Sequence, residues 1–197
     1  MTTARRTNRG PAAAAANRAA LIGAAREVLT EFGADAPMAL IAQRAGVGKG
    51  SLYRHFPTRD AVILAVFEDI VSELEGLAGR PDSTAERVIG AIVEQVVASV
   101  AFIAVLDPDD SSDARLYEPG QRVIRLLEAK LAEDELRGGL RADLTVDEVF
   151  VGISMLAGLL HKTPTAERHA AAARGWALLT RAFYTVPSEA PTIHPPR

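Results

Sequence analysis

Residues 45–56 read Ala45-Gly46-Val47-Gly48-Lys49-Gly50-Ser51-Leu52-Tyr53-Arg54-His55-Phe56. Glycines beside lysine and serine suit a loop that cradles phosphate. Glycine between two short apolar patterns suits the tight turn between two helices. A phosphate loop of the Walker type runs G-x-x-x-x-G-K-[ST] from a strand into a helix. Here Gly46 and Lys49 stand in the wrong order and spacing, and glycine follows Lys49. The residues before Gly46 also carry a helical pattern, so the phosphate-loop reading fails.

The turn reading is consistent on both sides. Upstream, Pro37 suits the start of a short helix whose inner side is Met38, Ile41, Ala42 and Ala45. Gly46 makes the turn and Val47 plugs it. Downstream, a third helix is expected from about Gly48 to Phe56, with Leu52 and Phe56 facing inward. Pro57 breaks the chain, and Thr58 caps a long fourth helix carrying Ile63, Phe67, Ile70, Leu74 and Leu77. A first helix is expected from Asn17, an N-cap, through Leu21, Ala25, Val28 and Phe32 to Gly33. The result is a three-helix helix-turn-helix unit, its motif spanning about residues 37–56.

In such units the third helix enters the major groove. Gly48, Gly50 and Ser51 are small and let the backbone approach DNA. Lys49 sits at the N-terminal end, and Tyr53, Arg54 and His55 supply donors to phosphates and base edges. Arg44, at the end of the second helix, and Thr58 and Arg59, at the start of the fourth, are expected to meet phosphates. Plainer roles exist for each: a core ring for Tyr53, a surface imidazole for His55, a solvated charge for Arg44, a cap alone for Thr58.

Composition sets the frame. Of 197 residues 48% are hydrophobic and only 5% aromatic, alanine is abundant, and no strand alternation is visible. The expected class is all-α with about nine helices. With no cysteine, disulfides, thiolate metal sites and a cysteine nucleophile are excluded. The longest apolar run, Val96 to Leu106, is too short for a membrane span, and no secretory signal is evident, so a cytoplasmic protein is expected. Residues 1–60 hold nine Lys/Arg against four Asp/Glu, a net +5. The remainder holds thirteen against twenty-one, a net −8. One end is suited to a polyanion and the other is not.

Residues 17–79 therefore form the expected DNA-binding domain and 82–185 a larger helical domain. Residues 1–16 are expected as a disordered basic arm with Arg5, Arg6 and Arg9, and 186–197 as a disordered proline-rich tail. In the larger domain Thr145 and Glu148 form a capping box, and Gly138-Gly139 ends the helix before it. Gly152, Ala157, Gly158 and Ala170 to Ala173 are small enough for close helix approach.

Residues 18–68 resemble the DNA-binding domain of the TetR family of transcriptional regulators. The likeness rests on AAREVLTEFG and on IAQRAGVGKGSLYRHFPTRDAV, which is similar to the family pattern IA-x-x-AGVS-KGTLY-x-HF-x-SK-x-x-L. RGGLRADLTVDEVFVGI is similar to a recurrent stretch of the family's C-terminal domain. Ala39 and Leu40 replace more polar residues, Gly48 a common serine, and Arg59 the usual lysine. The resemblance implies a homodimer joined through its last two helices and an unidentified small-molecule effector held among the fifth to eighth. It also implies that the fourth helix links effector to DNA. Phe67, Val96, Phe102, Met155 and Trp176 are the expected effector-lining residues. Trp176 can equally serve packing.

The expected function is a repressor that binds a palindromic double-stranded operator as a homodimer and is released by the effector. The alternatives are an activator, or a small helical enzyme or binding protein with an incidental helix-turn-helix. No catalytic residue, metal site, cofactor or membrane partner is expected. His161, His169 and Glu167 straddle a helix break, without the spacing that places two ligands on one helix face.

Overall fold

The computed structural model describes residues 10–33, 35–98 and 114–185. Among them are nine α-helices: α1 (Pro11–Phe32), α2 (Met38–Arg44), α3 (Lys49–His55), α4 (Arg59–Ala78), α5 (Ala85–Ala98), α6 (Ala114–Ala132), α7 (Asp134–Arg137), α8 (Val146–His161) and α9 (Arg168–Phe183). A 3-10 turn, Thr165–Glu167, leads into α9. The only β pairing among the described residues is one antiparallel bridge between Leu140 and Tyr184.

The chain divides into two compact units between Val66 and Phe67, inside α4. The expected boundary was the break at 79–82. That break ends a helix. Helix α4 is buried on both sides of the division, through Val62, Ala65 and Val66 before it and Phe67, Ile70, Val71 and Leu74 after it.

In the first unit, α1 packs on α2 and α2 on α3. The core is Leu21, Ala25, Val28 and Leu29 of α1 with Ile41, Ala42, Leu52 and Phe56. Helix α1 begins at Pro11, six residues before the expected Asn17. Pro11 suits the first helical position, and Ala12 to Ala16 are the strongest helix formers, with no apolar stripe to reveal them. Residues 1–9 and 186–197, expected as a basic arm and a tail, lie outside the described residues.

In the second unit, α5 buries Val88, Ile89, Ile92, Val93 and Val96 against α6, α8 and α9. Helix α6 begins at Ala114, ahead of the expected Gly120, with Pro119 inside it. Helix α8 opens with the expected capping box: Thr145 Oγ1 accepts from the Glu148 N–H at 3.2 Å, and Glu148 Oε2 accepts from the Thr145 N–H at 2.9 Å. Helices α8 and α9 pack closely through two glycines. A Cβ on Gly152 would stand 2.6 Å from Phe183 Cζ, and one on Gly175 2.7 Å from Leu156 Cδ1. Trp176 meets Phe183 edge to face, ring centroids 6.3 Å apart.

Candidate nucleic-acid interface

The turn between α2 and α3 follows from one residue. Gly46 has φ of +64°, the left-handed region that a Cβ disfavours. The turn returns its backbone donors to α2: the Gly46 N–H to Gln43 O at 3.1 Å and the Val47 N–H to Ala42 O at 3.0 Å. Val47 is half-buried and Leu40, on α2, is likewise half-buried.

Helix α3 is oriented by two side chains four residues apart, Leu52 and Phe56, both buried in the first unit. The opposite face is set by the same helical period. Gly48, Lys49, Gly50, Tyr53 and Arg54 are exposed, and Ser51 and His55 are half-buried. Tyr53 keeps 51% of its surface accessible, a large fraction for an aromatic ring. The Arg54 Nε donates to Gly50 O at 3.1 Å, which lays the side chain along the helix. No side chain caps α3: Gly48 is its N-cap residue. Of its first-turn N–H groups, that of Ser51 donates to Gly48 O at 2.8 Å.

Gly48 and Gly50 are not required by packing inside the chain. Neither has a positive φ, and a Cβ at either would meet nothing within 4 Å. Bare backbone at an exposed helix start suits the approach of another molecule.

The flanking residues separate into two groups. Thr58 Oγ1 accepts from the Ala61 N–H at 3.1 Å, capping α4 as expected. Arg59 donates to Ala36 O at 2.6 Å, tying α4 to the loop before α2. Arg44 bonds Glu31 of α1 at 2.8 Å, with Glu27 at 3.8 Å. Its charge is thus partly answered within the unit, a pairing of residues distant in sequence that α2 alone could not disclose. A contact that the sequence reading missed joins Arg18 to Phe56: the guanidinium carbon stands 5.4 Å from the ring centroid.

Of the expected effector-lining residues, Phe67, Val96 and Trp176 are buried in the second unit. Phe102 lies outside the described residues. Met155 does not face that interior, with 67% of its surface exposed on the outer side of α8. Helix α8 is apolar almost all round, so its period could not tell inside from outside. Its buried side is Val149, Gly152, Ile153, Leu156, Ala157 and Leu160, and Met155 falls between them on the free side. Val151, Leu159 and, on α9, Leu178 are exposed too. Of the small residues, Gly152 and Ala157 serve packing within the unit, whereas Gly158 meets nothing within 4 Å. No group of three or more potential metal ligands occurs among the described residues. None of the described helices is long and apolar enough to cross a membrane.

Residues 21–66 match the family model for bacterial regulatory proteins of the tetR family. Over 100 residues the chain is 37% identical to the HTH-type transcriptional regulator BetI of Escherichia coli O127:H6. That match covers 45% of this chain and spans about half of the relative, 51%. Among solved structures, a TetR transcriptional regulator from Streptomyces coelicolor is 25% identical with a TM-score of 0.62, covering 86% of this chain and 99% of that one. The TetR family protein CprB from Streptomyces coelicolor A3(2) is 22% identical with a TM-score of 0.56, covering 91% and 94%; this likeness is one of fold. Family model, relative and fold agree with the helix-turn-helix built from Gly46, Leu52 and Phe56, and residues 21–66 form a DNA-binding domain of the tetR family of bacterial regulatory proteins.

Proposed function

We propose that the protein is a repressor that binds a palindromic operator in duplex DNA as a homodimer and leaves it when a small molecule binds the second unit. The observation that carries the DNA reading is the outward face of α3. Leu52 and Phe56 hold it, and Lys49, Tyr53 and Arg54 stand on it beside two glycines with open space. One seven-residue helix reaches few base edges, so useful specificity needs two copies, and two-fold symmetry in the protein calls for a palindrome. The apolar outer sides of α8 and α9 are suited to join those copies. Lys49, Ser51, Tyr53, Arg54 and His55 are the groups proposed to touch DNA. Gly48 and Gly50 clear its path, and Thr58 and Arg59 set the start of α4 beside it. Arg44 can join them only by giving up Glu31.

The proposed effector site lies within the second unit, near the buried Phe67, Val96 and Trp176. Release is a population shift, in which the effector favours a dimer whose two α3 helices are wrongly spaced for the operator. The protein acts in the cytoplasm, where the DNA is.

The test is a mobility-shift titration on the DNA upstream of its own gene. Tyr53→Ala is expected to weaken binding about tenfold or more, since a hydrogen bond to a charged group contributes roughly 1.5–3 kcal/mol. The dimer should be unchanged. Equal affinity of variant and wild type would remove Tyr53 from the interface, and no binding by the wild type at low salt without effector would sink the repressor reading.

A further inference from the structure

Arg18 lies on α1, outside the helix-turn-helix motif. It is exposed, and its guanidinium sits over the ring of Phe56, 5.4 Å from the centroid. Phe56 is buried and closes α3 at its C-terminal end, next to His55, whose own ring is 6.2 Å from that of Phe56. Pro57 and Thr58 then lead straight into α4. Arg18 therefore stands where α3 ends and α4 begins.

The other described arginines of this unit are engaged. Arg44 is held by Glu31, Arg54 by Gly50 O and Arg59 by Ala36 O, and Arg26 also has a partner. Arg18 has no acidic partner among the described residues. The acids of α1, Glu27 and Glu31, lie toward its other end and answer Arg44. A guanidinium held over a ring by a cation–π contact uses none of its N–H donors on that contact. The contact with Phe56 restrains a flexible side chain, so less freedom is lost when those donors meet a ligand. A planar fork of donors beside an exposed helix end matches a phosphate diester.

We infer that Arg18 is a DNA-contacting residue: it clamps a backbone phosphate beside the C-terminal end of α3, with Phe56 as the platform that aims it. This contact rests on the DNA-binding reading above. It positions α3 from outside the groove and carries no base information.

The test measures binding of the full chain to a 30-base-pair duplex that the wild type selects from a random pool, as a function of salt. Each phosphate contact contributes about 0.9 to the slope of log affinity against log salt. Arg18→Gln is expected to lower that slope by about 0.9 per protomer and to weaken binding roughly tenfold per protomer near 0.1 M salt. Arg18→Lys keeps the charge and should keep the slope. Thermal melts of both variants accompany the titrations, because a purely structural Arg18 would lower the melting temperature and leave the slope alone. An Arg18→Gln slope equal to that of the wild type overturns the clamp. If Tyr53→Ala still weakens binding in that case, the DNA-binding reading stands without it. If the wild type selects no duplex, the reading and the clamp fall together.

Discussion

The outer face of α3 and the outer faces of α8 and α9 are both exposed, and they are made of opposite materials. Helix α3 displays a lysine, an arginine, a tyrosine and two glycines around two buried anchors, Leu52 and Phe56. Helices α8 and α9 display Val151, Met155, Leu159 and Leu178, with 45–67% of each left accessible. The glycines differ in the same way. Gly152 and Gly175 are places where another side chain of the chain comes too close for a Cβ, whereas Gly48 and Gly50 face open space. The contrast teaches that exposure alone does not identify a partner. A face of cations and bare backbone suits a polyanion that is held mostly by charge, and a face of large apolar groups suits a protein surface that excludes water.

The largest effect should come from putting a charge on the apolar face. Met155→Glu would bury an unpaired carboxylate in a dimer formed there, at a cost of about 3–5 kcal/mol. That corresponds to a dissociation constant raised on the order of a hundredfold or more. Sedimentation equilibrium on wild type and variant measures it, with circular dichroism to check that each chain still folds. Identical association would move the interface elsewhere and leave the exposed methionine without a role. Tyr53→Ala, made on the other face, should leave association untouched.

A smaller effect concerns how the helices behind these faces begin. Helix α8 has a full capping box, and α3 has only Gly48. Thr145→Ala should cost about 1 kcal/mol in thermal or urea unfolding. The Glu148 carboxyl is held below its ordinary value of 4.5, first by the hydrogen bond from the Thr145 N–H and then by the Arg141 guanidinium. Because the folded-state value is the lower one, its contribution is present above pH 4.5 and is lost as pH falls below. The gap in melting temperature between wild type and Glu148→Gln should therefore close in acid. A gap that stays constant to low pH would mean that the charge of Glu148 adds nothing to the cap.

Much of the first unit was legible because each boundary carries a local signal. Pro37, Gly46, Pro57 and Thr58 punctuate the helices, and Leu52 and Phe56 are apolar on an otherwise polar helix. The capping box of α8 was legible for the same reason. What escaped is what local pattern does not encode. Ala12 to Ala16 continue α1 without an apolar stripe. Met155 sits on a helix that is apolar on both sides, so the helical period does not separate its inner from its outer face. Arg44 with Glu31 and Arg18 with Phe56 meet only once α1 is laid against α2 and α3. These pairings arise from packing between helices, and they decide which cations of the basic unit remain available to DNA.

The smallest effect bears most directly on the contrast between the two faces. Gly50 lies in the first turn of α3, where glycine gives the unfolded chain more freedom than alanine would. Its φ is not positive, and a Cβ would meet nothing within 4 Å, so the fold itself has no use for the glycine. Gly50→Ala should stabilise the protein by about 0.5 kcal/mol in urea unfolding. If the backbone of α3 approaches DNA closely, the same methyl group should weaken binding to the selected duplex, by roughly tenfold for a contact of about 1.4 kcal/mol. The two signs oppose each other: a residue that costs stability remains useful only through contact with something outside the chain. A variant that is more stable and binds equally well would show that Gly50 does not touch DNA, leaving the interface to Lys49, Tyr53, Arg54 and their neighbours.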